Sequence, residues 1–270
     1  MNLSVVLQVA GSVFRESVRD RVLYNLVAFA VLLIAVSFLL GQLTAGQDVK
    51  IIKDLGLAAI ATFGLLIAVF IGVGLVWKEV EKRSIYSLLS KPVRRHEFII
   101  GKFCGLGLTL LVNVAVMAAA FYFVLGWLAW RETPEIRASW AAPATDPAML
   151  KAVLLITVEL LLVTAIALFF STFSSPFLSV LMTVALWVIG SLSTDLRDLG
   201  TVVDAPVAAW LARGLYYVLP NFGAFDVKAE VVHGVPVGAG YVALTSLYGT
   251  VYLAFVLAAA VAVFARRDFK

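Results

Sequence analysis

The chain has 270 residues, of which 62% are hydrophobic and 14% are charged, and its mean hydropathy is +1.01. Soluble domains are about 45–50% apolar and about 25% charged, so this composition excludes a soluble globular protein and predicts an integral membrane protein. One cysteine and two histidines exclude an internal disulfide and leave little material for a metal site, so we expect no metal. The net charge of +4 does not indicate nucleic acid as a partner, because Lys and Arg in a membrane protein mainly set its orientation.

Residues 3–20 are predicted to form an amphipathic helix. Their apolar side chains, from Leu3 and Val6 to Phe14 and Val18, recur at three- and four-residue spacing, and most polar residues fall on the other face. Such a helix can lie in the membrane interface with its apolar face at the headgroup boundary. The alternative is a helix packed against the rest of the bundle.

Six later segments are apolar over about 20 residues, the length that a helix needs to cross a bilayer. The fifth is the shortest and begins after Pro176, a residue suited to the first turn of a helix. We therefore predict one all-α integral membrane domain over residues 1–270, with a long segment at residues 195–240 between the last two spans. The predicted spans cover residues 22–43, 55–77, 99–128, 152–173, 177–194 and 241–264.

The distribution of Lys and Arg predicts the orientation of these spans. Six spans place both termini on one side of the membrane. With that side cytoplasmic, 13 of the 21 Lys and Arg residues lie inside, in three dense clusters. Because cytoplasmic loops carry the excess of Lys and Arg, we predict that the N-terminus and the C-terminus are both cytoplasmic and that residues 195–240 lie outside.

Residues 77–105 form the only long charged stretch, with ten charged residues of which seven are basic. A helix is predicted over residues 79–90, with a small apolar stripe at Ile85, Leu88 and Leu89. Pro92 ends this helix, because proline disfavours helical backbone at the residue before it. One alternative is a loop that anchors the topology and attracts anionic lipid. The other is a docking element for a soluble protein.

No catalytic motif accompanies these elements. The sequence has no G-x-x-x-x-G-K-[ST], H-E-x-x-H or G-x-S-x-G pattern, so we expect no enzyme activity in the chain itself. Glu159 lies about 10 Å inside the fourth span, where a carboxyl is costly. It either lines a pathway or fixes helix packing, with Asn113 and Thr164 as candidate partners. Gly101 and Gly105 allow another helix to approach closely, either within the chain or in a dimer.

The charged stretch resembles the type-2 ABC transporter permeases. The resemblance rests on Trp77-Lys78-Glu79, on the run Leu88-Leu89-Ser90-Lys91-Pro92-Val93-Arg94-Arg95-His96-Glu97-Phe98, and on Gly101-Lys102 and Gly105. The run FFSTFSSP at residues 169–176, the run Leu219-Pro220-Asn221-Phe222 and the pair Phe225-Asp226 are also similar to that family. The resemblance is strongest to the branch of the nitrous-oxide-reductase maturation permease.

The resemblance implies an N-terminal elbow helix at residues 3–20 and a cytoplasmic coupling helix at residues 79–90, between spans two and three. It implies as partners two soluble ABC ATPase subunits and a second permease copy, with the complex in the inner membrane. Membrane lipid is a further partner, and whether an extracytoplasmic protein also binds stays open. ATP and Mg would be bound by the ATPase, and no cofactor by this chain. The residues implied to contact the ATPase are Glu79, Glu81, Lys82, Arg83, Leu88, Leu89, Lys91, Pro92, Arg94 and Arg95. The candidates for contact with an extracytoplasmic protein are Pro220, Asn221, Phe222 and Phe225.

The sequence therefore predicts the permease subunit of an ATP-driven ABC transporter. It would act as an exporter or a mechanotransmitter, coupling ATP hydrolysis in a separate subunit to movement of substrate or to a conformational change. Two alternatives stay open. One is an ATP-independent ion-coupled carrier or channel centred on Glu159, and the other is a membrane scaffold that transports nothing.

Overall fold

The computed structural model describes residues 3–42, 48–81, 94–140, 142–193, 214 and 219–266. Within these ranges the chain forms helices and no strand, which confirms the all-α prediction. A single 3₁₀ turn at Gly223–Phe225 accompanies the helices. The helices are α1 (Leu3–Ser17), α2 (Arg21–Gln42), α3 (Asp48–Glu81), α4 (Arg95–Arg131), α5 (Pro134–Ser139), α6 (Ala148–Ser171), α7 (Pro176–Ser191), α8 (Lys228–Val232) and α9 (Ala239–Arg266).

Five of the described helices, α2, α3, α4, α6 and α9, are long and apolar enough to cross a membrane. The fifth predicted span corresponds to α7, which is apolar but has only 16 residues. At 1.5 Å per residue α7 is about 24 Å long, shorter than the roughly 30 Å hydrocarbon core of a bilayer. The protein is therefore a multi-pass membrane protein, and the count of six spans stays a prediction.

Residues 82–93, between α3 and α4, are here called the insert. The end of the bundle where α3 ends and α4 begins is called the insert end, and the opposite end is called the distal end. α3 and α4 border the insert and are the longest helices, with 34 and 37 residues. Their lengths are about 51 and 55 Å at 1.5 Å per residue, so both are longer than the hydrocarbon core is thick. α3 runs to Glu81 without a break at the predicted boundary, residue 77, so the backbone at residues 79–81 continues the same helix. The rest of the predicted 79–90 helix lies outside the described residues.

α3 also begins earlier than predicted, at Asp48 instead of residue 55. Three charged residues within positions 50–54 suggested a loop, but this first part of α3 is packed. Val49 and Ile52 are buried, and the ammonium of the buried Lys53 donates a 2.7 Å hydrogen bond to the carbonyl of Pro143. That bond satisfies the charged group, so the helix can continue where the sequence alone suggests a turn.

A second lysine holds another connecting segment at the distal end. Lys151, in the first turn of α6, donates a 2.7 Å hydrogen bond to the carbonyl of Val237, just before α9. Lys53 and Lys151 thus fasten two different segments across the same end of the bundle. Their long side chains reach polar partners there while their apolar stems stay among the helices.

α6 is the central helix and packs against α3, α4, α7 and α9. Its contact with α3 is close because α3 carries Gly64 and Gly72 on the facing side. A Cβ atom on Gly72 would lie 2.5 Å from the Cβ of Ala167, and one on Gly64 would meet the side chain of Leu160. In lipid there is no hydrophobic driving force between helices, so van der Waals packing at such close contacts contributes much of their association energy.

The N-terminal helix α1 packs on the first turns of α4. Val6, Ala10 and Val13 are buried in this contact. A Cβ atom on Gly101 would lie 2.8 Å from the Cβ of Val9, and one on Gly105 only 2.6 Å from the carbonyl oxygen of Ala10. The two glycines therefore pack a helix of the same chain, so packing within the chain accounts for them.

The other face of α1 is exposed and apolar. Leu3 and Leu7 are 63% and 62% exposed, on the side away from α4. One face of α1 thus packs on the bundle, as the alternative arrangement requires, while an interfacial position of its exposed leucines stays a prediction. The helix ends at Ser17, three residues before the predicted end.

We expect Gly105→Ala to weaken the contact between α1 and α4. The added methyl group would clash with the backbone of α1, and overpacking of this kind costs about 1–3 kcal/mol. Gly126→Ala is the matched control, because it lies in the same helix with nothing within 4 Å of its Cβ position. Thermal unfolding in detergent should give a lower midpoint for Gly105→Ala and no loss for Gly126→Ala. Equal midpoints for the two variants would contradict the contact.

Candidate functional site

The insert connects the two longest helices, and its fixed points are the end of α3 at Glu81 and the start of α4 at Arg95. Of the residues implied to contact an ATPase, Arg94 and Arg95 are described with their side chains. The backbone at positions 79 and 81 lies in the last turn of α3. Those outside the described residues are Lys82, Arg83, Leu88, Leu89, Lys91 and Pro92.

The start of α4 is fixed by a cap. Arg94 has extended backbone, with φ −75° and ψ 141°, and its N–H donates a 3.3 Å hydrogen bond to the Oε2 atom of Glu97. Glu97 is 3% exposed and lies in the first turn of α4, where the helix dipole favours an anion. This cap sets the direction in which the chain leaves the insert and enters the membrane. The sequence signal was present, since a Glu three residues after a cap position is typical of helix starts.

Arg95 lies against the last turn of α9, 170 residues along the chain. Its Nη1 atom donates hydrogen bonds to the carbonyls of Ala265, at 2.7 Å, and Phe264, at 3.4 Å. One turn further into α4, the ring of Phe98 stacks on that of Phe264, with centroids 5.8 Å apart and an interplanar angle of 22°. The ammonium of the fully buried Lys102 lies 4.7 Å from the centroid of the Phe98 ring. No sequence pattern links residues so far apart, and this contact was not predicted.

Glu159 pairs with a tryptophan of the neighbouring helix. The indole Nε1 of Trp187, on α7, donates a 2.8 Å hydrogen bond to the Oε1 atom of Glu159, on α6. The expected partners are different: Thr164 donates to the carbonyl of Leu160 in its own helix, and no hydrogen bond joins Asn113 to Glu159. The pair fixes α7 against α6, as the packing interpretation of Glu159 requires. Trp187 was missed because an indole in an apolar span is equally typical of a lipid-facing residue.

The segment at residues 219–232 is anchored in the distal end by two phenylalanines. Phe222 is 2% exposed and packs on Gly190 of α7, and its N–H donates a 3.0 Å hydrogen bond to the carbonyl of Gly190. Phe225 is fully buried against Gly249 of α9, where a Cβ atom would lie 2.9 Å from its Cζ atom. Each glycine leaves room for one ring. Phe222 and Phe225 thus serve as internal anchors in this structure and offer no surface to an extracytoplasmic protein.

Pro220 and Asn221, the other two candidates for contact with an extracytoplasmic protein, lie next to Phe222 in the chain. Pro220 is buried, whereas Asn221 is half-buried. The backbone N–H of Asn221 donates a 2.9 Å hydrogen bond to the hydroxyl of Tyr248, and its Oδ1 atom accepts a 3.2 Å bond from the N–H of Ala224. Asn221 is therefore the one member of the set that a second protein could reach here.

An open pocket of about 590 Å³ lies beside Asn221, between this segment and α9. Its walls combine tyrosine rings with aliphatic side chains, and the hydroxyl of Tyr241 donates to the carbonyl of Ala224 at its edge. Within the described part of the chain, no three His, Cys, Asp or Glu side chains come together as a metal site requires. Lining residues of the pocket are Leu219, Asn221, Ala224, Tyr241, Leu244, Thr245, Tyr248 and Tyr252.

We expect Glu159→Gln to keep near-native stability, because its side-chain carbonyl can still accept from Trp187. Glu159→Leu leaves the indole N–H without an acceptor, which costs about 1 kcal/mol or more. In a double-mutant cycle with Trp187→Phe, the loss caused by Glu159→Leu should shrink, since the donor is already absent. Thermal unfolding is measured for the parent protein, the three single variants and the double variant. Equal destabilisation by Gln and Leu would show that the carboxyl has a role beyond this bond.

Comparison with known proteins matches residues 7–197 to the model of a family described as ABC-2 family transporter protein. The match runs from α1 past the end of α7 and includes the insert with both flanking helices. No curated protein matches this chain. The match confirms the resemblance to type-2 ABC permeases, whose members normally work with ABC ATPase partners. Since the matched residues make up well over half of the sequence, this multi-pass transmembrane protein belongs to the ABC-2 family of transporter proteins, as a permease subunit.

Proposed function

We propose that this permease subunit couples ATP hydrolysis in separate ABC ATPase subunits to movement across the membrane, and that the insert is where the ATPase acts. The observation that carries this proposal is the family match, which covers the insert together with α3 and α4. The chain itself has no P-loop for nucleotide. ATP and Mg would therefore be bound by the partner ATPase, and this chain would contribute the membrane helices that change conformation.

The length of α3 and α4 supports the proposal that these two helices pass a movement of the insert to the rest of the bundle. Both are longer than the hydrocarbon core is thick, and both border the insert. α3 packs closely on α6, and α4 carries α1 on its first turns. A displacement of the insert would therefore move two long helices, each already fastened to a further part of the bundle. α1 would be the elbow helix of this arrangement.

The apolar stripe of the insert supports docking into a groove on the ATPase. Leu88 and Leu89 follow a cluster of charges, and an amphipathic helix can lay such a stripe into a hydrophobic groove. The charged residues around it would set the orientation of the docked helix, as rim charges do at other interfaces. The candidates for that role are Glu79, Glu81, Lys82, Arg83, Lys91 and Arg94, with Pro92 ending the helix.

The complete complex that we propose has two copies of this permease and two ATPase subunits in the inner membrane. The insert end and both termini would be cytoplasmic, because the dense Lys and Arg clusters lie there. The distal end, with residues 219–238, would face outward, and α7 would be the sixth membrane-crossing helix. Asn221 and the adjacent pocket would be the place for an extracytoplasmic protein. The pair of Glu159 and Trp187 supports a packing role for Glu159, so we favour this function over a carrier centred on that residue.

Replacing Leu88 and Leu89 together by Asp should release the ATPase. Burying two new carboxylates in an apolar groove would cost several kcal/mol, and each 1.4 kcal/mol weakens binding tenfold. We expect at least about a tenfold fall in the ATPase that co-purifies in mild detergent, and a matching loss of ATP hydrolysis stimulated by the permease. Ile136→Asp is the control, because Ile136 is an aliphatic residue of α5 that is 46% exposed.

Two outcomes would count against the proposal. The first is that no P-loop protein co-purifies with the wild-type chain. The second is that the double Asp variant retains as much ATPase, with the same activity, as the Ile136→Asp control.

A further inference from the structure

We propose that Arg95 and Phe98 hold the last turn of α9 to the start of α4, so that α9 moves with the insert and carries the motion to the distal end. This inference rests on the proposed function, since it names the path by which the ATPase would act on the far side of the bundle. Arg95 is a positioning residue on this path. Its partner is the last helix of the same chain.

The polar part of the contact has a clear physical basis. The carbonyls of Phe264 and Ala265 lie in the last described turn of α9, and both accept a hydrogen bond from the guanidinium of Arg95. Hydrogen bonds from a charged donor are about twice as strong as those between neutral groups. Arg95 therefore ties the backbone of this turn to the start of α4.

The apolar part lies one turn deeper. Phe98 is three residues after Arg95, so both side chains lie on the same face of α4. The rings of Phe98 and Phe264 are 9% and 4% exposed and stack on each other. Offset stacking of this kind adds to the gain from burial alone. The hydrogen bonds of Arg95 and the stacking of Phe98 on Phe264 therefore join the start of α4 to the last described turn of α9 at two successive positions.

Most of α9 is exposed in the described part of the chain, so its contact with α4 matters for its position. Only about a sixth of the apolar window of α9 is buried, compared with most of α6. Leu244, Leu247 and Val251 are all exposed along one side. Because so little of α9 is buried within the described part of the chain, its position depends on a limited set of contacts. These are the contact with α6 along its length, the contact with α4 at the insert end, and the packing of residues 219–232 on its distal half.

The distal half of α9 in turn holds the segment at residues 219–232. Tyr248 accepts from the N–H of Asn221, Tyr241 donates to the carbonyl of Ala224, and Phe225 fits against Gly249. α9 has 28 residues and is about 42 Å long at 1.5 Å per residue. It therefore connects the start of α4, next to the insert, with residues 219–232 at the distal end, beside the open pocket.

The first arm of the test examines the joint in the permease alone. Arg95→Ala and Phe264→Leu should speed hydrogen–deuterium exchange in the last turn of α9, whereas Arg266→Ala should not, because Arg266 is an exposed residue of the same turn. Arg95→Lys, which keeps one positive charge, should give an intermediate rate. Unchanged exchange in both Arg95→Ala and Phe264→Leu would overturn the joint.

The second arm examines transmission in the complex with its ATPase. Spin labels replace Leu150 and Leu244, exposed residues at the distal ends of α6 and α9, in a Cys104→Ser background that removes the exposed native thiol. The label separation is compared without nucleotide and with Mg and a non-hydrolysable ATP analogue, at equal ATPase occupancy. We expect the separation to shift in the parent protein and in Arg266→Ala, and the shift to be lost in Arg95→Ala and Phe264→Leu.

The outcomes separate the inference from the proposed function. If no ATPase binds the parent protein, the proposed function fails and the transmission path fails with it. If the ATPase binds and the labels shift equally in Arg95→Ala, Phe264→Leu and the parent, the inference alone is overturned. If Arg95→Ala does not fold, Arg95→Lys and Phe264→Leu decide the question, and both should reduce the shift.

Discussion

Close contact at glycine residues holds this bundle together, and most of its other features depend on it. In lipid, helices gain little from hydrophobic burial against each other, so they associate where small residues let backbones and rings approach. Gly72 brings α3 against α6, Gly105 brings α1 against α4, and Gly190 and Gly249 each receive a phenylalanine ring. Each of these contacts joins a helix to another helix or to the segment at residues 219–232.

The joints at the two ends serve different purposes. At the insert end α1 and the last described turn of α9 both pack on α4, the helix that follows the insert. At the distal end the joints attach residues 219–232 to α7 and α9, and two lysines hold the remaining segments through backbone carbonyls. Under the proposed function, a permease driven by a separate ATPase needs a mechanical connection between its two faces. We propose that in this chain the connection runs through side chains whose partners are backbone groups and rings of other helices.

Hydropathy was enough to predict the membrane class, the all-α fold and the positions of α2, α6 and α9 within a few residues. Hydropathy gave the wrong start for α3, because the charged residues at positions 50–54 resemble a loop. In the structure Lys53 lies within α3, and its ammonium donates a hydrogen bond to the distant carbonyl of Pro143. Pairings such as Trp187 with Glu159, or Arg95 with the end of α9, join residues far apart in the chain and leave no local pattern. Phe222 and Phe225 resembled a contact surface, and only the facing glycines of α7 and α9 show why they are buried.

The central claim is that the insert contacts an ABC ATPase, and site-specific photo-crosslinking in native membranes tests it most directly. A photoreactive amino acid at position 88 is compared with one at position 136, on the exposed side of α5. We expect position 88 to crosslink to a protein with a G-x-x-x-x-G-K-[ST] motif, in a yield that changes with nucleotide, and we expect no such crosslink from position 136. Crosslinks from position 88 to lipid alone, or to proteins without that motif, would contradict the account.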